Sequence, residues 1–154
     1  PGYYEEGGLI IKQAREMGIM QPILGPDGFA NSTLVELAGA DNVDNVFYAS
    51  HFTPNSEDPK VQEFLAAFEA EYGKPADSFA ALAYDAAQLV FDAITTADST
   101  DPQAITDALA ATEDFEGVTG TFSFDENHNP IKSAFVIELQ DGVEVGNSVV
   151  EPAK

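Results

Sequence analysis

The chain has no cysteine, no tryptophan, only two histidines and only six basic residues against 27 acidic ones. Without cysteine there can be no disulfide, no thiolate metal site and no cysteine nucleophile. Two histidines are too few for a histidine-rich metal centre. The shortage of Lys and Arg removes the clusters that nucleic acids and anionic membrane surfaces require, so neither is expected as a partner. No apolar run approaches the roughly 20 residues of a membrane-spanning helix. The opening Pro1-Gly2-Tyr3-Tyr4-Glu5 has no initiator Met and no basic-then-apolar leader. It reads as the interior of a domain, and a piece of a longer protein is therefore expected.

What is present is ordinary for a globular chain. Of 154 residues, 44% are apolar and 21% charged, and a chain of this length can bury roughly 70% of its unfolded surface. The net charge of -21 reads first as solvation of the surface. A salt-rich habitat or a preference for a cationic partner would give the same excess.

Local patterns divide the chain into three stretches. Leu9, Ile10, Gln13, Ala14 and Met17 recur at helical spacing over residues 5–17, with Gly18 placed to stop the helix. Pro22-Ile23-Leu24 reads as a short buried strand. Thr33 and Glu36 have capping-box spacing, which predicts a helix to about Leu37, and Asn45-Val46-Phe47-Tyr48-Ala49 is a second strand. This alternation with short loops predicts an α/β domain with a parallel sheet. Residues 58–112 show helices only. Val61, Phe64, Leu65, Phe68 and Tyr72 form one stripe after Asp58-Pro59; a helix over about 78–95 is apolar on most sides and is expected to be deeply buried; Asp101-Pro102 opens a third. The tail is β-rich. Val118, Gly120, Phe122 and Phe124 alternate with polar residues, residues 125–130 turn, and Asp141-Gly142 joins strands over 133–139 and 143–150.

A helical block between two β-rich segments is either a cap or an excursion into another lobe. Hinge candidates lie at Ser50-His51-Phe52-Thr53-Pro54-Asn55 and near Gly117–Gly120. Two crossings at a shared hinge would give lobes that open and close around a ligand.

Several stretches carry a resemblance. They are Pro1–Gly8, Gln13–Gly18, Leu24-Gly25-Pro26-Asp27-Gly28-Phe29, Ala83-Tyr84-Asp85-Ala86, and Gly117 through Asp125. In order and spacing they resemble the second lobe of leucine/isoleucine/valine-binding proteins. The resemblance implies the type I periplasmic-binding-protein-like fold: two three-layer αβα lobes that close on an amino acid, with a hinge crossed three times. It implies that residues 1–52 belong to the C-terminal lobe, 53–120 to the N-terminal lobe, and 121–154 to the C-terminal lobe again. It also implies that most of the N-terminal-lobe sheet is absent from this sequence.

The same resemblance singles out three residues. On the residues alone, Tyr3 is a tyrosine at a strand end; the resemblance makes it a cleft residue whose hydroxyl bonds the ligand's polar head. Pro26-Asp27-Gly28 is by itself a turn; the resemblance gives Asp27 the ligand's ammonium group, which needs a charged, hydrogen-bonding partner when buried. The family typically has Glu there, one methylene longer, so the ligand pose differs. Phe79 starts the buried helix and reads as core; the resemblance packs it against the ligand side chain.

Other strings carry no chemistry. Asp125-x-Asn127-x-Asn129 opens like a calcium loop, but Pro130 stands where Gly is required. Asn31-Ser32-Thr33 matches a glycosylation sequon and reads as a helix cap. His51 and His128 have no Ser and Asp partners in a triad pattern, and no phosphate-cradling Gly-rich loop exists. No cofactor and no metal are expected. The expected function is an extracytoplasmic solute-binding protein of an ABC importer that takes a branched-chain or similar amino acid and passes it to a membrane permease. An amide or urea receptor of the same fold is the alternative, and a fragment of an α/β enzyme the more distant one. The helical stripes of 58–112 lack a sheet to cover them, so the chain by itself is expected to self-associate.

Overall fold

The computed structural model describes residues 2–152, apart from the side chain of Asn147. Pro1, Ala153 and Lys154, and with them the two ends of the expected lobe assignment, lie outside the described residues. The chain divides into two compact units, Pro1–Thr53 with Ala134–Val150, and Pro54–Ser133 with Glu151–Lys154.

The first unit is a four-stranded sheet, with two helices against one face. Its elements are α1 (Tyr4–Glu16), β1 (Ile23–Gly25), a 3-10 turn (Asp27–Phe29), α2 (Ser32–Ala38), a second 3-10 turn (Ala40–Asn42) and β2 (Val46–Ser50). The tail then adds β6 (Ala134–Gln140) and β7 (Val143–Val150). β1 and β2 are parallel; β6 and β7 join them antiparallel. The Asp141-Gly142 turn works as the sequence predicts: both residues have positive φ, 50° and 82°, which the primed hairpin turns demand.

The core lies between the helices and the sheet. Ile11 of α1, Leu34 and Ala38 of α2, Val46 and Tyr48 of β2, and Ile137 and Leu139 of β6 are its buried members. Close helix packing depends on glycine. A Cβ on Gly7 would stand 2.6 Å from the Phe29 ring, and one on Gly8 would stand 2.8 Å from the Leu34 carbonyl oxygen. Two glycines inside a helix cost roughly 0.5–1 kcal/mol each relative to alanine; here they let α1 meet α2 and the Phe29 turn at backbone distance. Arg15 then ties the loops together. Its guanidinium donates to the carbonyls of Ile19, Gln21, Asn42 and Asp44 at 2.6–3.2 Å. Leu24, expected in a buried strand, is 80% exposed, because β1 is an edge strand and its alternation turns Leu24 away from α1.

The second unit holds α3 (Pro59–Tyr72), α4 (Ser78–Ala97), α5 (Pro102–Ala110), β3 (Phe115–Gly117), β4 (Gly120–Phe124) and β5 (Pro130–Ile131). Each helix start is capped by an aspartate: Asp58 accepts from Lys60 N, Asp77 from Ala80 N, and Asp101 from the Gln103 and Ala104 amides. α2 begins within the Asn31-Ser32-Thr33 stretch read as a helix cap, but not at the capping-box residue. Asn31, not Thr33, is its N-cap, accepting from Thr33 N at 2.9 Å. A β-region φ/ψ at Asn31 and a short polar side chain make it the better cap.

Two further expectations change. Residues 118–124 are not one strand; β3 and β4 form a hairpin with Val118 and Thr119 in its turn. Because β4 pairs with β3 and β5, residues 120–131 stay with the helices, and the chain leaves this unit at Ser133/Ala134 rather than near Gly120. α4 is also less buried than its composition suggested. Only Ser78, Ala81, Asp85 and Ala93 are buried, while Tyr84, Val90 and Phe91 are 40–60% exposed. The apolar face has no sheet to lie on among the described residues.

Candidate functional site

Tyr3 and Asp27 both lie in the first unit. Tyr3 is the N-cap of α1, with extended backbone, and its carbonyl accepts from Gly7 N at 2.8 Å. Asp27 opens the 3-10 turn after β1, and its carbonyl accepts from Ala30 N at 3.0 Å. What joins them is Gly28, which is buried. A methyl on Gly28 would lie 2.6 Å from the Gly2 carbonyl oxygen and 3.1 Å from Tyr3 Cδ1. The turn therefore seats directly beneath the start of α1 only because residue 28 has no side chain. The Phe29 ring anchors the same turn from below: a Cβ on Gly25 would stand 2.2 Å from it. Both Tyr3 (62%) and Asp27 are exposed. Among the described residues the Asp27 carboxylate makes no hydrogen bond or ion pair, which leaves its acceptor lone pairs available to a ligand. An exposed carboxylate at a strand end of an α/β sheet is suited to a small ligand with an ammonium group.

Phe79 lies in the second unit, in the first turn of α4, where it is 37% exposed. The Asp77 cap fixes that turn through a 2.8 Å bond to Ala80 N.

The second unit also has a buried polar cluster that the sequence reading passed over. Asp85, on α4, is only 3% exposed. It accepts from Val118 N and Thr119 N, each at 2.8 Å, and from Thr119 Oγ1 at 2.6 Å. Gly117 admits the carboxylate, since a Cβ there would sit 2.3 Å from Asp85 Oδ2. Lys132 donates to Thr119 Oγ1 at 2.7 Å and stands 4.9 Å above the Phe122 ring. Burial pushes the Lys132 ammonium below its usual range, and the Asp85 charge opposes that shift. Two stretches that the resemblance treated separately, residues 83–86 and 117–125, are thus one structural unit. The available signal was an acid among the small and aromatic residues in the first half of a largely apolar helix, which must find donors if buried.

In the first unit Tyr48 is 4% exposed and donates to Glu144 Oε1 at 2.7 Å. Burial raises the phenol pKa far above its usual 10.0, and the Glu144 charge and hydrogen bond add to the shift. Asp125 has a structural role: it accepts from the Asn127 and Asn129 amides, each at 2.8 Å. Those bonds, led by Asn129, hold its carboxyl below the usual range. Among the described residues no group of three or more His, Cys, Asp or Glu is placed to hold a metal, and no helix is long and apolar enough to cross a membrane.

Residues 5–144 match the family model described as periplasmic binding protein. The chain is 33% identical over 125 residues to the leucine-, isoleucine-, valine-, threonine-, and alanine-binding protein of Pseudomonas aeruginosa, covering 81% of this chain and 33% of that protein. Its fold matches the branched-chain amino acid transporter substrate binding protein LivJ from Streptococcus pneumoniae, solved in complex with isoleucine. The TM-score is 0.89 at 42% identity, over 99% of this chain and 43% of that one. The leucine binding protein LivK from Thermotoga maritima matches with a TM-score of 0.88 at 34% identity, over 98% and 43%. The chain therefore spans between a third and somewhat over two fifths of the length of these relatives.

Proposed function

The chain belongs to the periplasmic binding protein family, and from that premise we propose that it is the C-terminal half of an extracytoplasmic solute-binding protein of an ABC importer. The whole protein holds a branched-chain or similar amino acid between two lobes and delivers it to a membrane permease. It is a binding module and not an enzyme. The observation that carries the reading is the exposed Asp27 at the end of β1, in the turn that Gly28 seats against Gly2 and Tyr3.

The roles follow from chemistry. Asp27 receives the ligand's ammonium group, Tyr3 bonds its polar head and shields it from water, and Phe79 packs on its side chain. Lobe closure desolvates the charge pairing and so strengthens it. Aspartate in place of the family's glutamate draws the ammonium group closer to the 3-10 turn and favours a smaller or differently tilted amino acid. The 154-residue chain alone lacks the rest of the cleft; it binds amino acids weakly or not at all. Its exposed α4 face, with Val90 and Phe91, drives self-association.

The test is a thermal-shift panel on the full-length protein with leucine, isoleucine, valine, smaller amino acids, and neutral amides including urea. A ligand at 100 times its Kd stabilises the folded state by about 2.7 kcal/mol. The reading expects that response from at least one aliphatic amino acid. A response to amides alone would contradict it, because the reading requires a cationic ammonium group to pair with the carboxylate charge that closure buries.

A further inference from the structure

We infer that Lys132 is a positioning residue for lobe closure: it tethers the link through which the chain leaves the second unit at Ser133/Ala134. The inference rests on the two-lobe binding reading above, and the groups that make the tether all belong to the second unit. Lys132 adjoins Ser133. It donates to Thr119 Oγ1 at 2.7 Å, and Thr119 Oγ1 lies 2.6 Å from Asp85 Oδ2.

The direction of each bond follows from the groups. An ionised carboxylate only accepts and an ammonium only donates. The one Thr119 hydroxyl proton therefore goes to Asp85, and the hydroxyl oxygen accepts from Lys132. The row has opposite charges at its two ends, which a half-buried ammonium needs. Asp85 is fixed in turn by the Val118 and Thr119 amides, each at 2.8 Å. Lys132 is thus held to α4 through a carboxylate that other bonds already fix, while its Nζ stands 4.9 Å from the Phe122 ring centroid.

The backbone beside Lys132 is weakly held. β5 is only two residues long, Pro130–Ile131, and pairs with Phe124 and Ser123 of β4. Pro130 has no amide proton to give to that ladder. A charge-assisted bond at residue 132 therefore matters more than it would beside a long strand. Beyond it the outgoing and returning strands run side by side. Ser133 Oγ donates to Glu151 Oε2 at 2.7 Å, and Ala134 stands opposite Val150. One tether at Lys132 thus restrains both strands of the link. Freed from it, residues 130–133 gain conformations that closure has to take back, so the ligand-bound state becomes harder to reach.

The experiment compares the full-length wild type with Lys132→Met, which keeps an unbranched stem beside Phe122 and removes the charge and the donors. Asp85 retains its bonds from Val118 and Thr119 in that variant, so the β3–β4 turn stays in place. Lys74→Met, at an exposed position of the same unit, controls for the lost charge and should behave as wild type. Hydrogen exchange without ligand should speed up at residues 131–136 in Lys132→Met and stay unchanged in α3, α4 and α5. Calorimetry with the aliphatic amino acid that stabilises the wild type most should show affinity about fivefold weaker, the scale of fixing the backbone of one freed residue. The urea midpoint should hold or rise, because an apolar group replaces a half-buried ammonium. A lysine with a structural role alone would lower stability and affinity together. Unchanged exchange at 131–136, unchanged affinity, or lost protection throughout 54–133 would each overturn the inference. A wild type that binds no aliphatic amino acid would overturn the binding reading and the coupling to closure with it; the exchange arm needs no ligand and separates that failure from a failure of the tether.

Discussion

In the first unit, Ile11, Leu34, Val43, Val46 and Ile137 are the fully buried large side chains, joined by Ser50. In the second, the best-buried cluster contains Asp85 and Thr119, 3% and 6% exposed, beside Val118 and Phe122. The difference is one of how position is achieved. Hydrocarbon contact is non-directional, so the first unit positions Tyr3 and Asp27 through steric fit, with glycines at 7, 8, 25 and 28 letting backbone meet ring and backbone. Hydrogen bonds are directional, so the second unit fixes its β3–β4 turn through three bonds to one carboxylate. Each design fails in its own way, and the variants below are chosen to expose that.

The largest effect is expected from Asp85→Ala. It strands two buried amides and a hydroxyl, and it leaves a void beside Gly117. A loss on the order of 3 kcal/mol follows from unsatisfied buried donors. Hydrogen exchange should show it across residues 54–133, with α1 and α2 keeping their protection. Loss of protection in both units together would mean that they fold as one cooperative body, and the comparison would fall.

Gly8→Ala should come next. The added methyl would sit 2.8 Å from the Leu34 carbonyl oxygen and 2.9 Å from Leu37 Cβ. Overpacking of that kind costs roughly 1–3 kcal/mol, partly offset by the gain of roughly 1 kcal/mol in helix propensity. A net loss of about 1 kcal/mol in urea unfolding is expected. A net gain would show that α1 and α2 can move apart at no cost.

Alkaline titration gives the smallest and most selective contrast. The folded Tyr48 phenol has a raised pKa. Its contribution is therefore complete below the unfolded value of 10.0 and declines as pH rises above it, where only the unfolded state ionises. The folded Lys132 ammonium has a lowered pKa. Its burial penalty applies at neutral pH and is relieved as pH rises toward the usual 10.5, because the unfolded state then binds more protons. Above about pH 10 the first unit should weaken, and Tyr48→Phe should flatten that decline. Identical alkaline profiles for wild type and Tyr48→Phe would remove the phenol from the account.

Much of this was legible in the sequence. The helices over 4–16, 59–72, 78–97 and 102–110 follow apolar periodicity, and the last three start at aspartate caps; both are local signals. The Asp141-Gly142 hairpin is local too. What failed depended on distant partners. Leu24 is apolar, yet an edge position exposes it. Residues 118–124 alternate like one strand, yet Asp85, 33 residues away, pulls the Val118 amide into a turn. The crossing at Ser133 depends on which strands β4 pairs with, and alternation does not encode partners. The choice of Tyr3 and Asp27 came from family resemblance alone; the close approach of the Asp27 turn to the start of α1 depends on Gly28, which looked like an ordinary turn glycine.

The account stands most directly on Asp27, and calorimetry on the full-length protein tests it. The wild type, titrated with the aliphatic amino acid that stabilises it most, should bind in the micromolar range or tighter. Asp27→Asn, which keeps the shape of the turn and removes the charge, should lose roughly 100-fold in affinity, as removal of one partner from a buried charge pair does. Unchanged affinity in Asp27→Asn would contradict the account.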